Sequence, residues 1–194
     1  MSQQVKQHPL FPVNMQAKWC SEKSVQLPSN LRDWLLDPSS LTARLKRHGN
    51  DFRVEVLGQK IQRCTIEEAT AEVAVEQEVL VREVLLFCGQ KPQVFARSLL
   101  PLSSLTGDEK QLANLGSQSL GQVLFNHPQL QRKRIEVASF DSESSVAQLA
   151  KHYQLTSNAD LWGRRSVFLI EDKPLIVAEV FLPEAFAYQL ENIS

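Results

Sequence analysis

The stretch VLVREVLLFCGQKPQVFARSLL, residues 79–100, decides the fold of this chain. Its two apolar runs, 79–88 and 93–100, flank the turn-forming sequence GQKP. Turn residues between two runs of β-prone residues are typical of a hairpin. Strands joined by so short a turn run antiparallel. The stretch therefore predicts the central hairpin of an antiparallel sheet.

Further elements extend this hairpin on both sides. A second hairpin is predicted where runs 166–170 and 175–182 flank EDKP, and alternating apolar residues predict strands at 52–56 and 131–139. Short helices are expected at 29–36, 40–48, 106–116, 120–125 and 146–153. The helix at 106–116 would open with the capping box Thr106–x–x–Glu109. Strands joined by short turns and flanked by helices indicate the α+β class with an antiparallel sheet.

The length of the chain fits one domain. A chain of 194 residues can bury a substantial core. Residues 1–28 are polar and contain three prolines, so we expect a loosely ordered N-terminal arm. Residues 29–194 would form the domain, with a longer polar excursion at 140–160.

Composition and charge restrict the class of protein. Apolar residues make up 43% of the chain and the net charge is −1, which argues against disorder and against a nucleic-acid partner. The three cysteines are scattered without CxxC spacing, which favours a reducing compartment over a disulfide framework or a zinc site. There is no signal-like leader, and no apolar run approaches about 20 residues. We therefore expect a cytoplasmic monomer without stable membrane insertion.

Three charged residues inside the apolar runs are the strongest functional signal. Arg82, Arg97 and Glu179 each share a strand face with apolar residues two positions away. Their side chains should therefore point toward buried surface. Burying a lone charge is costly, so each of the three needs an ion-pair partner or a charged ligand.

Several arrangements of these charges are open. A structural ion pair could join Glu179 to Arg82 or to Arg97, and Glu83 could face inward instead of Arg82, because both faces of that strand are apolar. If the hairpin has a two-residue turn, Arg82 lies directly opposite Arg97 and the like charges repel. An anion between them would relieve the repulsion, and arginine suits a carboxylate.

The chain resembles the chorismate pyruvate-lyase family in several motifs that follow that family's order. These are DWLL, the SLT turn at 40–42, VREVLLFC, RSLLPLSSLTG, LGSQSLG, LWGRRS and AEVFLP. The resemblance implies helices and an antiparallel sheet that enclose a buried ligand cavity. It also implies conversion of chorismate to 4-hydroxybenzoate and pyruvate, the first step of ubiquinone biosynthesis. It implies no metal and no cofactor, which agrees with the lack of a P-loop, a GxGxxG or a clustered His/Cys set.

The resemblance also implies site residues. Arg82 and Glu179 would be the catalytic residues, with Arg82 on the ring carboxylate and Glu179 near the ring hydroxyl. Leu41 and Leu120 would contact the ligand, although Leu41 departs from the methionine of the family. Arg97 is the candidate for the second carboxylate. Glu179 would act as a general acid or hydrogen-bond donor, or would only orient the hydroxyl while a hydrogen shifts within the substrate.

Other charged segments have two interpretations each. Arg164 and Arg165 could orient a lid or bind substrate, or they could be a solvated or structural pair. The basic run 132–134 is expected to be a solvated strand edge. The excursion at 140–160 is longer than the family spacing and could lie far from the site or alter access to it.

One alternative concerns the whole chain. The same fold class serves as the sensing half of some bacterial transcription regulators, so the chain could be a non-catalytic effector domain that binds an aromatic acid. Residues 1–28 are too short and too proline-rich for a winged helix. Catalysis without an added cofactor would separate the enzyme from the effector domain.

The sequence generates one prediction about ligand binding. Arg82→Ala should weaken the binding of 4-hydroxybenzoate by about 2–3 kcal/mol, because a buried, charge-assisted hydrogen bond is lost. Titration calorimetry measures the affinity, and circular dichroism checks that the variant is folded. An affinity equal to that of the wild type would show that the arginine is wrongly assigned.

Overall fold

The computed structural model describes residues 7–189. Six strands form one sheet: β1 Phe52–Arg63, β2 Glu78–Cys88, β3 Lys91–Pro101, β4 Leu130–Phe140, β5 Leu161–Ile170 and β6 Lys173–Phe181. Their order is β1-β2-β3-β6-β5-β4, and all neighbours are antiparallel. The predicted α+β class and both predicted hairpins, β2–β3 and β5–β6, are confirmed. Residues 1–6 of the predicted arm and 190–194 of the predicted domain lie outside the described residues.

The described residues form four short α-helices, of which the first two precede β1 and the last two lie between strands. They are α1 Ser29–Leu36, α2 Leu41–His48, α3 Leu120–Phe125 and α4 Ser145–His152. The last three begin after a serine, Ser40, Ser119 or Ser144, whose hydroxyl accepts a backbone N–H of the first turn. Within residues 7–189, no helix combines the length and the apolar character that a membrane crossing requires.

The helix predicted at 106–116 differs from the expectation. Gly107–Asn114 is a 3-10 helix, and Thr106 makes no side-chain capping bond. The carboxylate of Glu109 instead pairs with Lys173. The predicted capping box is therefore wrong. The box needs the Glu109 carboxylate, which forms an ion pair with Lys173 of β6 instead.

The sheet is buried on both faces. The first face, which includes Val84 and Leu86 of β2, packs against α1, α2 and α3. The second face, which includes Leu85 and Phe87, packs against α4 and the N-terminal segment. Strand residues therefore lie in core whichever way they point, which explains why both faces of 79–88 are apolar.

Residues 7–28, for which the sequence predicted loose order, begin on the second face, where Val13 lies in the core, and end on the first face, where Leu27 packs against the core. The backbone N–H of Val13 donates to the Glu83 carboxylate at 2.7 Å. Farther along, the backbone groups of Cys20 and Val137 exchange two hydrogen bonds of 3.0 and 2.8 Å. A buried carboxylate and the edge of a strand thus hold this segment in place.

The excursion at 140–160 also lies on the second face. It contains α4, whose Val146 and Leu149 are buried in the same core cluster as Leu85 and Phe87. The added length is therefore on the side of the sheet opposite to Arg82.

A β-bulge changes the register of the central hairpin. The turn is as expected, with Cys88 opposite Lys91, but the register shifts before Leu86 pairs with Val94. The extra residue is Gln93, directly after Pro92, which has no N–H to donate to the ladder. Bulges are one of the few places where a sheet accepts proline.

The bulge separates the two strand arginines. Arg82 lies opposite Ser98, and Arg97 lies opposite Glu83. Since directly opposite residues share a face, Arg82 points to the first face and Arg97 to the second. The prediction that Arg82 and Arg97 lie opposite each other is wrong, because it assumed an unbroken ladder.

Arg97 is held in a buried ion network on the second face. Its Nη1 donates to Glu83 at 2.6 Å and its Nε donates to Glu68 at 2.7 Å. The side chains of Arg97 and Glu83 are 2% and 0% exposed. Both charges have opposite charges as neighbours, so the cost of burial is offset within the chain.

This network generates a stability prediction. Arg97→Met should lower the free energy of unfolding by about 3–5 kcal/mol, because Glu83 stays buried without its cation. The matched control is Arg63→Met, which breaks an exposed pair with Glu76 and should cost less than about 1 kcal/mol. Urea denaturation measures both variants. Equal losses in the two would contradict the role given to the network.

Candidate functional site

The strand register arranges polar side chains on the first face in two neighbouring rows. One row across β2, β3, β6 and β5 is Arg82, Ser98, Val177 and Ser166, and the next is Val84, Ala96, Glu179 and Arg164. Arg82 and Glu179 are thus on the same face, about 10 Å apart across two strands and about 7 Å apart along them, which is roughly 12 Å in all at the usual spacings. A six-membered ring fits between side chains at that separation.

Arg82 forms one end of this site. It is 2% exposed, and its Nη2 donates to the backbone carbonyls of Gly116 and Gln118 at 2.8 and 3.0 Å. Within residues 7–189 it has no ion pair with a carboxylate. Burial disfavours the charged guanidinium and lowers the pKa of Arg82 to about 10. The end of the site is therefore a buried cation that an anionic ligand would stabilise.

Two helix starts adjoin the Arg82 end. Leu41 and Leu120 are the first residues of α2 and α3. The helices meet where the hydroxyls of Thr42 and Ser119 lie 2.6 Å apart, next to the Gln118 carbonyl that Arg82 contacts. Backbone N–H groups in the first turn of a helix lack intrahelical partners. The structure therefore brings Leu41 and Leu120 toward the same end of the site as Arg82.

Glu179 and Arg164 form the other end. The Nε of Arg164 donates to Glu179 at 2.7 Å. Its Nη1 donates to the backbone carbonyls of Trp34, Leu35 and Asp37 at 3.4, 3.3 and 3.0 Å. These carbonyls lie at the C-terminal end of α1, where no further backbone N–H groups of the helix are available to them. Arg164 therefore fixes the Glu179 carboxylate and holds the end of α1 above it.

The LWGRR arginines are structural ion-pair residues. Arg164 and Arg165 are 1% and 8% exposed, so a solvated pair is excluded. Arg165 points to the second face, where its Nε and Nη2 donate to Glu136 at 3.0 and 2.8 Å. Because Glu179 pairs with Arg164, the pairs left open with the other two strand arginines do not form.

The run 132–134 is not a simple solvated edge. A register shift between Arg132 and Arg134 turns Arg132 onto the first face, opposite Phe168. There its Nη1 donates to the backbone carbonyl of Asp37 at 3.0 Å. The prediction of a solvated edge is wrong for Arg132, because it assumed regular alternation through the run.

Two buried polar atoms on the first face have no partner in the described part of the chain. They are Arg132 Nε and Ser166 Oγ. Ser166 lies between Arg164 and Phe168 on β5 and is 0% exposed. Buried polar groups are almost always hydrogen-bonded, so both atoms are places where a polar ligand or a water molecule can bind.

Sequence reasoning missed these two residues for different reasons. Ser166 gave a signal, because it is a polar residue in the same alternation as Arg164 and Phe168. Arg132 gave no such signal. The bulge at Lys133 interrupts the alternation of faces along β4, so the sequence pattern does not show which face Arg132 is on.

The fold and the site define an α+β domain with a candidate site for an organic anion between one sheet face and two helix starts. The family model described as chorismate lyase matches residues 13–191. A "probable chorismate pyruvate-lyase" of Psychromonas ingrahamii is 42% identical over 179 residues, covering 92% of both chains. One of Pseudoalteromonas translucida is 40% identical over 179 residues, covering 92% of this chain and 98% of the relative. The chain belongs to the chorismate lyase family.

Solved structures of similar fold include transcription regulators. PhnF from Mycobacterium smegmatis aligns with a TM-score of 0.54 at 14% identity, covering 76% of this chain and 65% of that one. The C-terminal domain of the histidine utilization repressor from Pseudomonas syringae pv. tomato also gives 0.54, at 15% identity, covering 73% and 97%. At such identities the similarity shows the fold alone.

The Ser166 hydroxyl, which has no partner within the described residues, generates a prediction in which stability increases and ligand affinity decreases. Ser166→Ala should raise the free energy of unfolding of the ligand-free protein by about 1 kcal/mol and weaken 4-hydroxybenzoate binding by about 1 kcal/mol. The control is Ser104→Ala, which removes a buried hydroxyl that donates to the Pro174 carbonyl at 2.7 Å and should only lose stability. Thermal unfolding and titration calorimetry measure the two quantities. A loss of stability in Ser166→Ala would contradict the assignment.

Proposed function

We propose that this protein converts chorismate to 4-hydroxybenzoate and pyruvate, the first step of ubiquinone biosynthesis. It would act as a cytoplasmic monomer without metal or organic cofactor. Family membership supports the reaction. The observation that carries the proposal is the buried cation Arg82, two strands from the carboxylate of Glu179 on one face of the sheet.

The two ends of the site suit the two ends of the substrate ring. Chorismate carries its ring carboxylate opposite its ring hydroxyl. Arg82 binds the carboxylate together with the backbone N–H groups of Leu41 and Leu120, since helix starts favour anions. Glu179 accepts a hydrogen bond from the hydroxyl. The ring lies between them, against the apolar side chains of the two rows, Val84, Ala96 and Val177.

The reaction needs little beyond a fixed conformation. The bond between the ring and the ether oxygen breaks, and that oxygen becomes the keto oxygen of pyruvate. The hydrogen on the hydroxyl-bearing ring carbon moves to the methylene carbon of the enolpyruvyl group, and the electrons left in the ring make it aromatic. Positioning can supply much of the barrier reduction for such an internal transfer. Glu179, already paired with Arg164, orients the hydroxyl.

One assay tests the reaction and its main alternative. Purified protein is mixed with chorismate and EDTA, and 4-hydroxybenzoate and pyruvate are followed together. We expect both products in equal amounts. Tight binding of 4-hydroxybenzoate without turnover would contradict the enzyme and favour an effector domain.

The role of Glu179 generates a separate prediction. Glu179→Gln should lower kcat by less than about tenfold, because the amide oxygen can still accept the hydroxyl. A group that transfers a proton would contribute about 100-fold or more. The control is Glu136→Gln, which removes a carboxylate from Arg165 on the second face and should leave kcat unchanged. A fall of several hundredfold with intact binding of 4-hydroxybenzoate would show that Glu179 transfers a proton.

A further inference from the structure

The buried arginines differ in whether the chain neutralises them. Those that are not exposed within residues 7–189 are Arg44, Arg82, Arg97, Arg132, Arg134, Arg164 and Arg165. Five of these seven pair with a carboxylate, which leaves only Arg82 and Arg132 without one in the described residues. Both lie on the first face of the sheet. The site therefore holds two cations that the described chain does not neutralise.

Arg132 belongs to the Glu179 end of the site. Its Nη1 donates to the Asp37 carbonyl at 3.0 Å, and the same carbonyl accepts from Arg164 at 3.0 Å. Arg164 in turn holds Glu179. Arg132 is on β4 and Arg82 is on β2, so the two cations approach the site from opposite ends of the strand order on the same face.

The surroundings of Arg132 fix its guanidinium but give it no ion pair within the described residues. The group lies 5.4 Å from the ring of Phe125 and 4.9 Å from that of Phe168. Its Nε is buried without a hydrogen-bond partner in residues 7–189. Burial, and then the charge of Arg164, lower the pKa of Arg132 to about 10, while the charges of Glu179 and Asp37 act in the opposite direction without forming an ion pair with it. An anion at this position would supply the missing partner and offset the cost of burial.

The chemistry of the substrate indicates which anion this is. Chorismate has two carboxylates, one on the ring and one on the enolpyruvyl group. The enolpyruvyl group is attached next to the ring hydroxyl, so its carboxylate falls at the Glu179 end when the ring carboxylate is at Arg82. We propose that Arg132 binds the enolpyruvyl carboxylate of chorismate. This inference rests on the proposed function and gives the second carboxylate a partner other than Arg97.

The consequence is discrimination between substrate and product. 4-Hydroxybenzoate keeps the ring carboxylate and the hydroxyl but has lost the enolpyruvyl group. Arg82 therefore contributes to the binding of both molecules, whereas Arg132 contributes to chorismate alone. Arg132 is a specificity-determining residue that acts by direct contact with the substrate.

The first test compares substrate and product in one variant. Arg132→Met keeps the apolar stem against Phe125 and Phe168 but removes the charge. We expect kcat/KM for chorismate to fall about 10- to 100-fold, while the Kd of 4-hydroxybenzoate changes less than about threefold. Arg82→Met should weaken both. The matched control is Arg134→Met, on the same strand but paired with Glu72, which should change neither quantity.

The second test uses wild-type protein and so does not depend on a variant that folds. 3-(Carboxymethoxy)-4-hydroxybenzoate carries a second carboxylate next to the hydroxyl, and 3-ethoxy-4-hydroxybenzoate is similar in size without that charge. Wild-type protein should bind the first at least about tenfold more tightly. Arg132→Met should lose this preference, and Arg132→Lys should keep part of it.

Each outcome separates this inference from the proposed function. If wild-type protein neither turns over chorismate nor binds 4-hydroxybenzoate, the proposed function fails, and this inference fails with it. If wild-type protein is active but Arg132→Met is equally active, only the inference is overturned. It is also overturned if the variant loses affinity for 4-hydroxybenzoate as much as it loses kcat/KM, or if wild-type protein binds the two ether ligands equally.

Discussion

The centre of the sheet is buried on both faces, so every charge in its strands must meet an opposite charge or a ligand. On the second face the chain meets this requirement itself, since Arg97 is held by Glu83 and Glu68. On the first face it does so only in part. Arg164 neutralises Glu179, whereas Arg82 has backbone carbonyls as its only hydrogen-bond partners among the described residues. The second face therefore stabilises the fold, and the first face is where a charged ligand belongs.

Arg164 contacts both Glu179 and the end of the helix α1, which covers this part of the sheet. Without its ion pair with Arg164, the Glu179 carboxylate would be oriented by side-chain packing alone. The same guanidinium binds the last carbonyls of α1, so Arg164 connects this helix to Glu179. At the other end, the starts of α2 and α3 meet beside Arg82. Both ends of the site are thus built where helix termini leave backbone groups unpaired.

The shared fold explains why regulators and this family align despite low identity. An antiparallel sheet covered by helices offers an enclosed surface on which different side chains can be displayed. PhnF aligns at 14% identity, a level at which the fold is retained but the ligand-contacting residues are not specified. Function depends on the site and not on the fold that carries it, so the charges on the first face are the basis of the function proposed for this chain.

The sequence by itself determined the two hairpins, the α+β class and the fact that Arg82 and Glu179 are charges on apolar strand faces. Alternation and turn residues act over a few positions, and a charge in an apolar run is visible without any partner. Only the tertiary structure decided which charges meet. One added residue reverses the face of every residue that follows, so the bulge at Gln93 moved Arg97 away from Arg82, and the bulge at Lys133 brought Arg132 onto the first face. The pairing of Glu179 with Arg164 likewise depends on strand order, which local periodicity does not encode.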